Sequence, residues 1–263
     1  MGTRGAVGFR HNQKDYITYN HYDSYPTCAG VGVIMTIIKQ KLFDDKYRQQ
    51  AIAKLEGLQL INSEKTFEPE ELENIRNNIE ALGLENNTFD PTRFGNGKVD
   101  AYYVLNPIQR HINAYIHPKH TIPYMIDSHE FMANSLYCEW AYIINFDTNS
   151  LEIYEGFNKN KNAAGRYAGK QRERERNYEP KEQFYGVSLI GEIPFEAVRE
   201  WKRVDANIFC VKLESYCTHI SNAHCEAEHG GIFEEHIKLS PEIMQQAQDN
   251  LASLKDLDVP LAQ

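Results

Sequence analysis

The chain has 263 residues, with 28 Lys plus Arg set against 37 Asp plus Glu and a formal net charge of −9. That length can bury a proper core, and the charge balance opposes a general nucleic-acid binder, whose affinity rests on neutralising phosphates. No run of eighteen apolar residues and no signal-peptide pattern appears, so the reading is a cytoplasmic protein without a membrane span. Five cysteines at irregular spacing read as reduced thiols rather than a disulfide framework.

The segment Met1 to Gly32 organises the chain. Two apolar runs, Ala6–Phe9 and Tyr16–Tyr19, joined by the polar residues Asn12 to Asp15, predict a β-hairpin. A polar knot follows, Asn20-His21-Tyr22-Asp23-Ser24-Tyr25. Past Pro26, Val31, Ile34, Met35, Ile38 and Leu42 recur at helical spacing, with Thr27 as the expected N-cap and Gly30 and Gly32 at the helix start. A strand that empties through Asn, His, Asp and Ser into a helix amino end is suited to hold an anion. Within it Thr3, Arg4, Arg10, Asn20, Tyr25, Thr27, Gly30 and Gly32 are the expected ligand-binding residues. His21 and Asp23 are the expected catalytic pair, since in extended chain they share a face and a carboxylate can orient an imidazole. The alternative is that His21, Asp23 and Ser24 only cap a turn.

The helix begun at Thr27 should run to about Leu42 and resume through Tyr47 to Glu56, with Gly57 as its stop. Pro69 opens a second helix, with Leu72, Ile75, Ile79 and Leu82 as its stripe and Gly83 at its end. Residues 85–98 read as a surface loop, and 100–116 as helix. Two β-rich runs, Trp140–Phe146 and Leu151–Phe157, flank Asp147-Thr148-Asn149-Ser150 and predict a second hairpin. Residues 158–183 carry almost no large aliphatics and read as a flexible charged insertion; its functional version is a basic lid built from Arg166, Lys170 and Arg172. Phe184–Ile190 reads as a strand, Pro194 to Trp201 as a short helix, Asn207 to Leu213 as an apolar run, and Ser240 as the cap of a final helix. Strands in pairs with helices between the pairs predict one α+β domain over 1–263 with a mainly antiparallel sheet.

Neither a Walker loop, a nucleophile elbow nor a zincin helix is present, and no cofactor is implied. The run Cys217 to His229 holds sulfur, imidazole and carboxylate but lacks paired C-x2-C spacing, so no metal is assigned to it. Histidines 111, 117, 120 and 129 lie around Pro118 and Pro123 and read as surface or capping residues.

Gly2-Thr3-Arg4-Gly5, then Tyr19 to Pro26, and later Glu139 to Asp147 resemble bacterial, phage and fungal proteins that begin M-(G/C)-T-R and carry an aromatic-D-(S/G)-Y-P signature. The opening hairpin also resembles N-terminal-nucleophile hydrolases of the choloylglycine type, which implies a four-layer αββα sandwich with Asn20 and Asp23 beside the amino terminus. Processing at Gly2 would leave no side chain to attack, so amide hydrolysis would require Thr3 or Cys28. The expected function is therefore binding, with hydrolysis as an extension, of a small anionic nucleotide-like molecule; the phage resemblance implies an anti-defence role against an immune nucleotide. The alternatives are an amide hydrolase and a structural or interaction protein, and a homo-oligomer is compatible with each.

Overall fold

The computed structural model describes residues 3–84, 99–109, 111–119, 122–171 and 184–228, with side chains described except at 106, 107 and beyond 215. Strands β1 (Gly5–His11) and β2 (Lys14–Asn20) form the opening hairpin, longer than the apolar runs alone indicate. Its turn is only Asn12 and Gln13, with φ of 50° and 62°. Two positive φ angles in a two-residue turn match the right-handed twist of the strands. The Asp147 carboxylate accepts from both turn N–H groups, at 2.7 Å from Asn12 and 2.9 Å from Gln13.

After the hairpin come α1 (Val31–Lys39), α2 (Asp45–Glu56), the short β3 (Gln59–Ile61) and β4 (Thr66–Phe67), and α3 (Pro69–Ala81). Next are β5 (Val99–Asp100), α4 (Ala101–Gln109), β6 (Tyr124–Ile126), β7 (Trp140–Asn145), β8 (Ser150–Glu155), β9 (Ser188–Pro194), the single turn α5 (Phe195–Val198) and α6 (Arg203–Glu228). The second hairpin forms as its sequence predicts, and Asn145 Oδ1 accepts from Asp147 N at 2.9 Å to close the turn. Asp44 caps α2 by accepting from Lys46 N, and Gly83 ends α3 with φ of 70°.

The main sheet has the order β2-β1-β7-β8-β9. Every pair is antiparallel except β1 with β7, which is parallel in the register Gly5↔Trp140 to Arg10↔Asn145. A parallel pair needs a long crossover, and residues 21–139 with α1 to α4 supply it. The class is α+β with a mostly antiparallel sheet. Among the described residues the other sheets, β3-β6 and β4-β5, are two-stranded, so they contain no second large sheet of the kind a four-layer sandwich stacks on the first.

Side-chain alternation gives the sheet two faces. Val7, Phe9, Tyr16, Tyr142, Ile144, Leu151 and Ile153 pack with the helices, around Ile34, Ile37, Leu55 and Ile75. Burying each such aliphatic side chain contributes about 1.5–3 kcal/mol, which fixes this face as the main core. Ala6, Ile17, Ala141, Ile143 and Tyr154 point the other way and meet Met132, Tyr167 and Val187 from irregular segments.

Several elements differ from their sequence reading: the helix read over 100–116 is α4 only as far as Gln109, and the run Asn207 to Leu213 lies inside α6. The helix after Pro26 begins with a wider π-helical turn, Pro26–Gly30, before α1. The last strand lies at 188–194 rather than 184–190, because pairing with β8 fixes Leu151↔Ile193 and Tyr154↔Leu189, while the N–H groups of Tyr185, Gly186 and Val187 donate to Asn158, Lys170 and Met132 carbonyls. Residues 158–171 of the charged insertion pack against the sheet: Tyr167 and Ala168 are buried, and Asn158 Nδ2 donates to the carbonyls of Ala168 and Gly186. Residues 172–183, the loop 85–98 and the final helix from Ser240 lie outside the described residues.

Candidate functional site at the open end of the amino-terminal hairpin

The ladder of β1 and β2 ends at Gly5↔Asn20. Arg4 and His21 are the residues just beyond that last pair on their two strands, and the Arg4 charge acts on the Tyr19 phenol that His21 contacts. Gly5 permits the close approach of β1 to β7 and to Ser24, since a Cβ there would lie 2.2 Å from the Trp140 carbonyl oxygen. Arg4 is fixed through its backbone: its N–H donates to Glu139 Oε1 at 3.2 Å, and its carbonyl accepts from Glu139 N at 2.9 Å. The guanidinium lies 4.6 Å from the centre of the Tyr137 ring, a cation–π contact.

On the neighbouring strand the Tyr19 hydroxyl is 2.6 Å from His21 Nδ1. The Tyr19 ring meets Phe131 edge to face at 5.0 Å, and the His21 ring meets Tyr22 in the same manner at 4.1 Å. Burial pushes the Tyr19 phenol up, Arg4 pulls it part of the way back, and the net direction is upward, so the hydroxyl keeps its proton at neutral pH. Tyr22, Tyr25 and Tyr137 are exposed at 58%, 42% and 39%, which makes this end an open aromatic surface with one cation in it.

The polar knot is a turn with its own hydrogen bonds. Buried Asn20 donates through Nδ2 to the Tyr22 carbonyl and to Ser24 Oγ, each at 2.7 Å. Ser24 N donates to the Thr3 carbonyl, and the Tyr142 hydroxyl donates to the Ser24 carbonyl, both at 3.1 Å. Asp23 takes φ of 55°, a left-handed conformation that Asp tolerates. That twist ends the extended chain, so the alternation expected to pair His21 with Asp23 does not reach Asp23. His21 bonds Tyr19 instead.

The helix start is closed by this chain itself. Cys28 N and Gly30 N donate to the Tyr25 carbonyl, and Ala29 N to the Asp23 carbonyl. Thr27 does not cap the helix: its hydroxyl donates to Glu214 Oε1 of α6 at 3.0 Å. The Glu214 carboxylate is thereby brought to the first turn of this helix. A Cβ at Gly30 would lie 3.1 Å from the Tyr142 ring, whereas Gly32 faces open space.

Of the residues singled out in the sequence, the fold brings Arg4 and His21 to the same end of the hairpin. Asn20 holds the turn, Thr3 is buried beneath it with its hydroxyl lacking a hydrogen-bond partner, and Tyr25, Thr27 and Gly30 belong to the adjoining helix start. Arg10 lies six residues along β1 from Arg4, about 20 Å away at the strand rise, and donates to Asp15 Oδ1 at 2.9 Å. Tyr19, Phe131 and Tyr137 complete the site without having been singled out. Tyr19 was legible, because the period-two rule applied to 21 and 23 holds for 19 and 21.

The far end of the sheet face that carries Ala6 and Tyr19 holds a second polar group. Arg166, read from sequence as part of a lid, turns inward: Nη2 and Nε donate to Asp15 at 2.9 and 3.2 Å, and Nη1 donates to Glu152 Oε2 and the Tyr154 hydroxyl, each at 2.6 Å. Asn145 donates to Glu152 Oε1 at 2.7 Å, and the Tyr167 hydroxyl to Asp15 Oδ2 at 2.6 Å. Lys170 sits 4.9 Å over the Tyr167 ring, and Arg172 lies outside the described residues. These contacts clasp residues 158–171 to the sheet.

Among the described residues no group of three or more His, Cys, Asp or Glu side chains is arranged to hold a metal ion, and no helix is long and apolar enough to cross a membrane. His129 pairs with Asp127 at 2.9 Å and His117 Nδ1 accepts from Lys119 N, both local capping contacts. The Cys217 to His229 side chains and His120 lie outside the described residues. No family model, curated protein or solved structure matches the chain.

Proposed function

We propose that the protein binds a small anionic, nucleotide-like molecule on the surface formed by Arg4, Tyr19, His21, Tyr22 and Tyr137. The observation that carries this reading is the Arg4 guanidinium stacked 4.6 Å over Tyr137, at the end of the hairpin that also carries an exposed imidazole hydrogen-bonded to Tyr19. A guanidinium fork is suited to phosphate oxygens, and exposed tyrosine rings offer π-faces to a planar base. An immune nucleotide of the kind phages counter falls within this ligand class. The test is a thermal-shift screen of nucleotides, cyclic dinucleotides and ADP-ribose derivatives against wild type, Arg4→Ala and Tyr137→Ala. A ligand at a hundred times its dissociation constant adds about 2.7 kcal/mol of stability. Stabilisation of wild type that is lost in both variants supports the reading; no stabilisation by any member, or equal stabilisation of all three proteins, overturns it.

A second reading, an amide hydrolase using Thr3, draws on the buried Thr3 hydroxyl that has no hydrogen-bond partner. It requires a free amine on Thr3, the group that would activate the hydroxyl. Intact mass of the purified protein decides it, since a chain beginning at Gly2 or Met1 lacks that amine.

A further inference from the structure

We infer that Tyr19 is a positioning residue that fixes His21 as a hydrogen-bond donor toward the ligand, so that the site grips an oxyanion with two donors, the Arg4 guanidinium and His21 Nε2–H. The inference rests on the binding reading above for its ligand and on geometry for the rest. With the imidazole neutral, two hydrogen patterns could give the 2.6 Å contact between the Tyr19 hydroxyl and His21 Nδ1. In one, Nδ1–H donates to the phenol oxygen and the phenol hydrogen must find another acceptor. Among the described residues no carbonyl or carboxylate takes that hydrogen, which is left to solvent, and the phenol oxygen is a weaker acceptor than an imidazole nitrogen. In the other, the phenol donates to a bare Nδ1 and both groups are satisfied at once.

The second pattern places the neutral imidazole's single proton on Nε2. That nitrogen then has no lone pair to take a proton from a substrate, so in this form His21 serves as a hydrogen-bond donor rather than as a base. The ring is also held in place, hydrogen-bonded to Tyr19 and edge to face with both Tyr19 and Tyr22, although it is exposed. An exposed imidazole held in this way gives up side-chain freedom before a ligand arrives, which favours binding. The ligand class this fits is an oxyanion, phosphate above all, attached to a planar ring.

The first measurement needs no ligand. Long-range proton–nitrogen correlation spectra of the full-length 15N-labelled protein, recorded at about pH 8.5 where free imidazole is neutral, report the His21 tautomer, with His21→Gln identifying the signals. The expected result is Nε2–H in wild type and a mixture of tautomers in Tyr19→Phe. An Nδ1–H tautomer in wild type, or a tautomer unchanged in Tyr19→Phe, overturns the inference. The second measurement titrates AMP and inorganic phosphate into both proteins. Tyr19→Phe should bind AMP about fivefold more weakly, the loss expected for one imperfectly aimed neutral hydrogen bond, while retaining the contribution of Arg4. Equal affinity in the two proteins overturns the donor role. Absence of AMP and phosphate binding to wild type, with the Nε2–H tautomer present, instead sinks the nucleotide reading and the ligand role built on it, leaving the tautomer assignment standing.

Discussion

Replacing Arg166 tests whether the clasp on the sheet works as one charged unit. Arg166 contacts two carboxylates, and they are not equally able to lose it. Asp15 keeps Arg10 and the Tyr167 hydroxyl, whereas Glu152, with only 5% of its side chain exposed, keeps among the described residues Asn145 and Tyr154, both neutral. Removing one partner of a buried ion pair costs about 3–5 kcal/mol because a charge is left without compensation. The Arg166 side chain is 23% exposed, so the lower bound applies and Arg166→Ala should cost about 3 kcal/mol. Glu152→Gln alone removes charge-assisted hydrogen bonds and should cost about 2 kcal/mol. The double variant has no orphaned charge and should also cost about 3 kcal/mol rather than the sum of the two, a coupling of about 2 kcal/mol. Urea unfolding followed by the fluorescence of Trp140, on β7 within the sheet, and Trp201 reads all four proteins. Single-variant losses that add to within about 0.5 kcal/mol would show that Arg166 and Glu152 act independently, and the account of the clasp would be wrong.

Burial pushes the Asp15 carboxyl up, but hydrogen bonds from Arg166, Tyr167 and Arg10 with the Arg166 charge outweigh it and hold the carboxyl below its ordinary 3.8. Its contribution to stability is therefore complete above that value and is lost as pH falls through the lower folded-state value. Asp15→Asn should be less stable than wild type at neutral pH and show a shallower loss on acidification, measured by unfolding midpoints from pH 7 down to about pH 2; parallel profiles would refute the assignment. Gly5→Ala places a Cβ 2.2 Å from a backbone oxygen that cannot swing aside, so it should cost about 3 kcal/mol in the same urea assay. Gln13 holds φ of 62° without being glycine, and Gln13→Gly should raise stability by about 1 kcal/mol, provided its N–H still reaches Asp147. A loss on that substitution would mean that the Gln13 side chain contributes more than its backbone strain costs.

What the sequence reveals and what it conceals divide by the distance between the groups involved. Asp44 and Pro69 start their helices, Gly83 ends α3 and Asn145 closes its turn through partners within a few residues, so their residue types suffice to find them. Thr27 fails the same reasoning. Its type suits an N-cap, but its hydroxyl is taken by Glu214, 187 residues away, a partner no local rule could supply. Strand order is hidden for a similar reason: nothing near Gly5 announces that its partner is Trp140. Arg166 shows the limit most plainly, since a basic lid and an inward clasp have the same local sequence and differ only in where Asp15 and Glu152 lie.

The two polar groups share one face of the sheet but stand at opposite ends of β1, with Ala6, Ile17, Ala141 and Ile143 packed between them. Arg4 joins an exposed aromatic surface, while Arg10 and Arg166 are balanced against Asp15 and Glu152. At about 20 Å, and with no shared partners, the ends should behave independently. Arg166→Ala should lower stability yet leave the ligand-dependent part of the thermal shift as in wild type, whereas Arg4→Ala should leave stability near wild type and abolish that part. If the ligand-dependent shift disappears with Arg166 and survives without Arg4, the anion is held at the clasp end and the site has been placed at the wrong end of the hairpin.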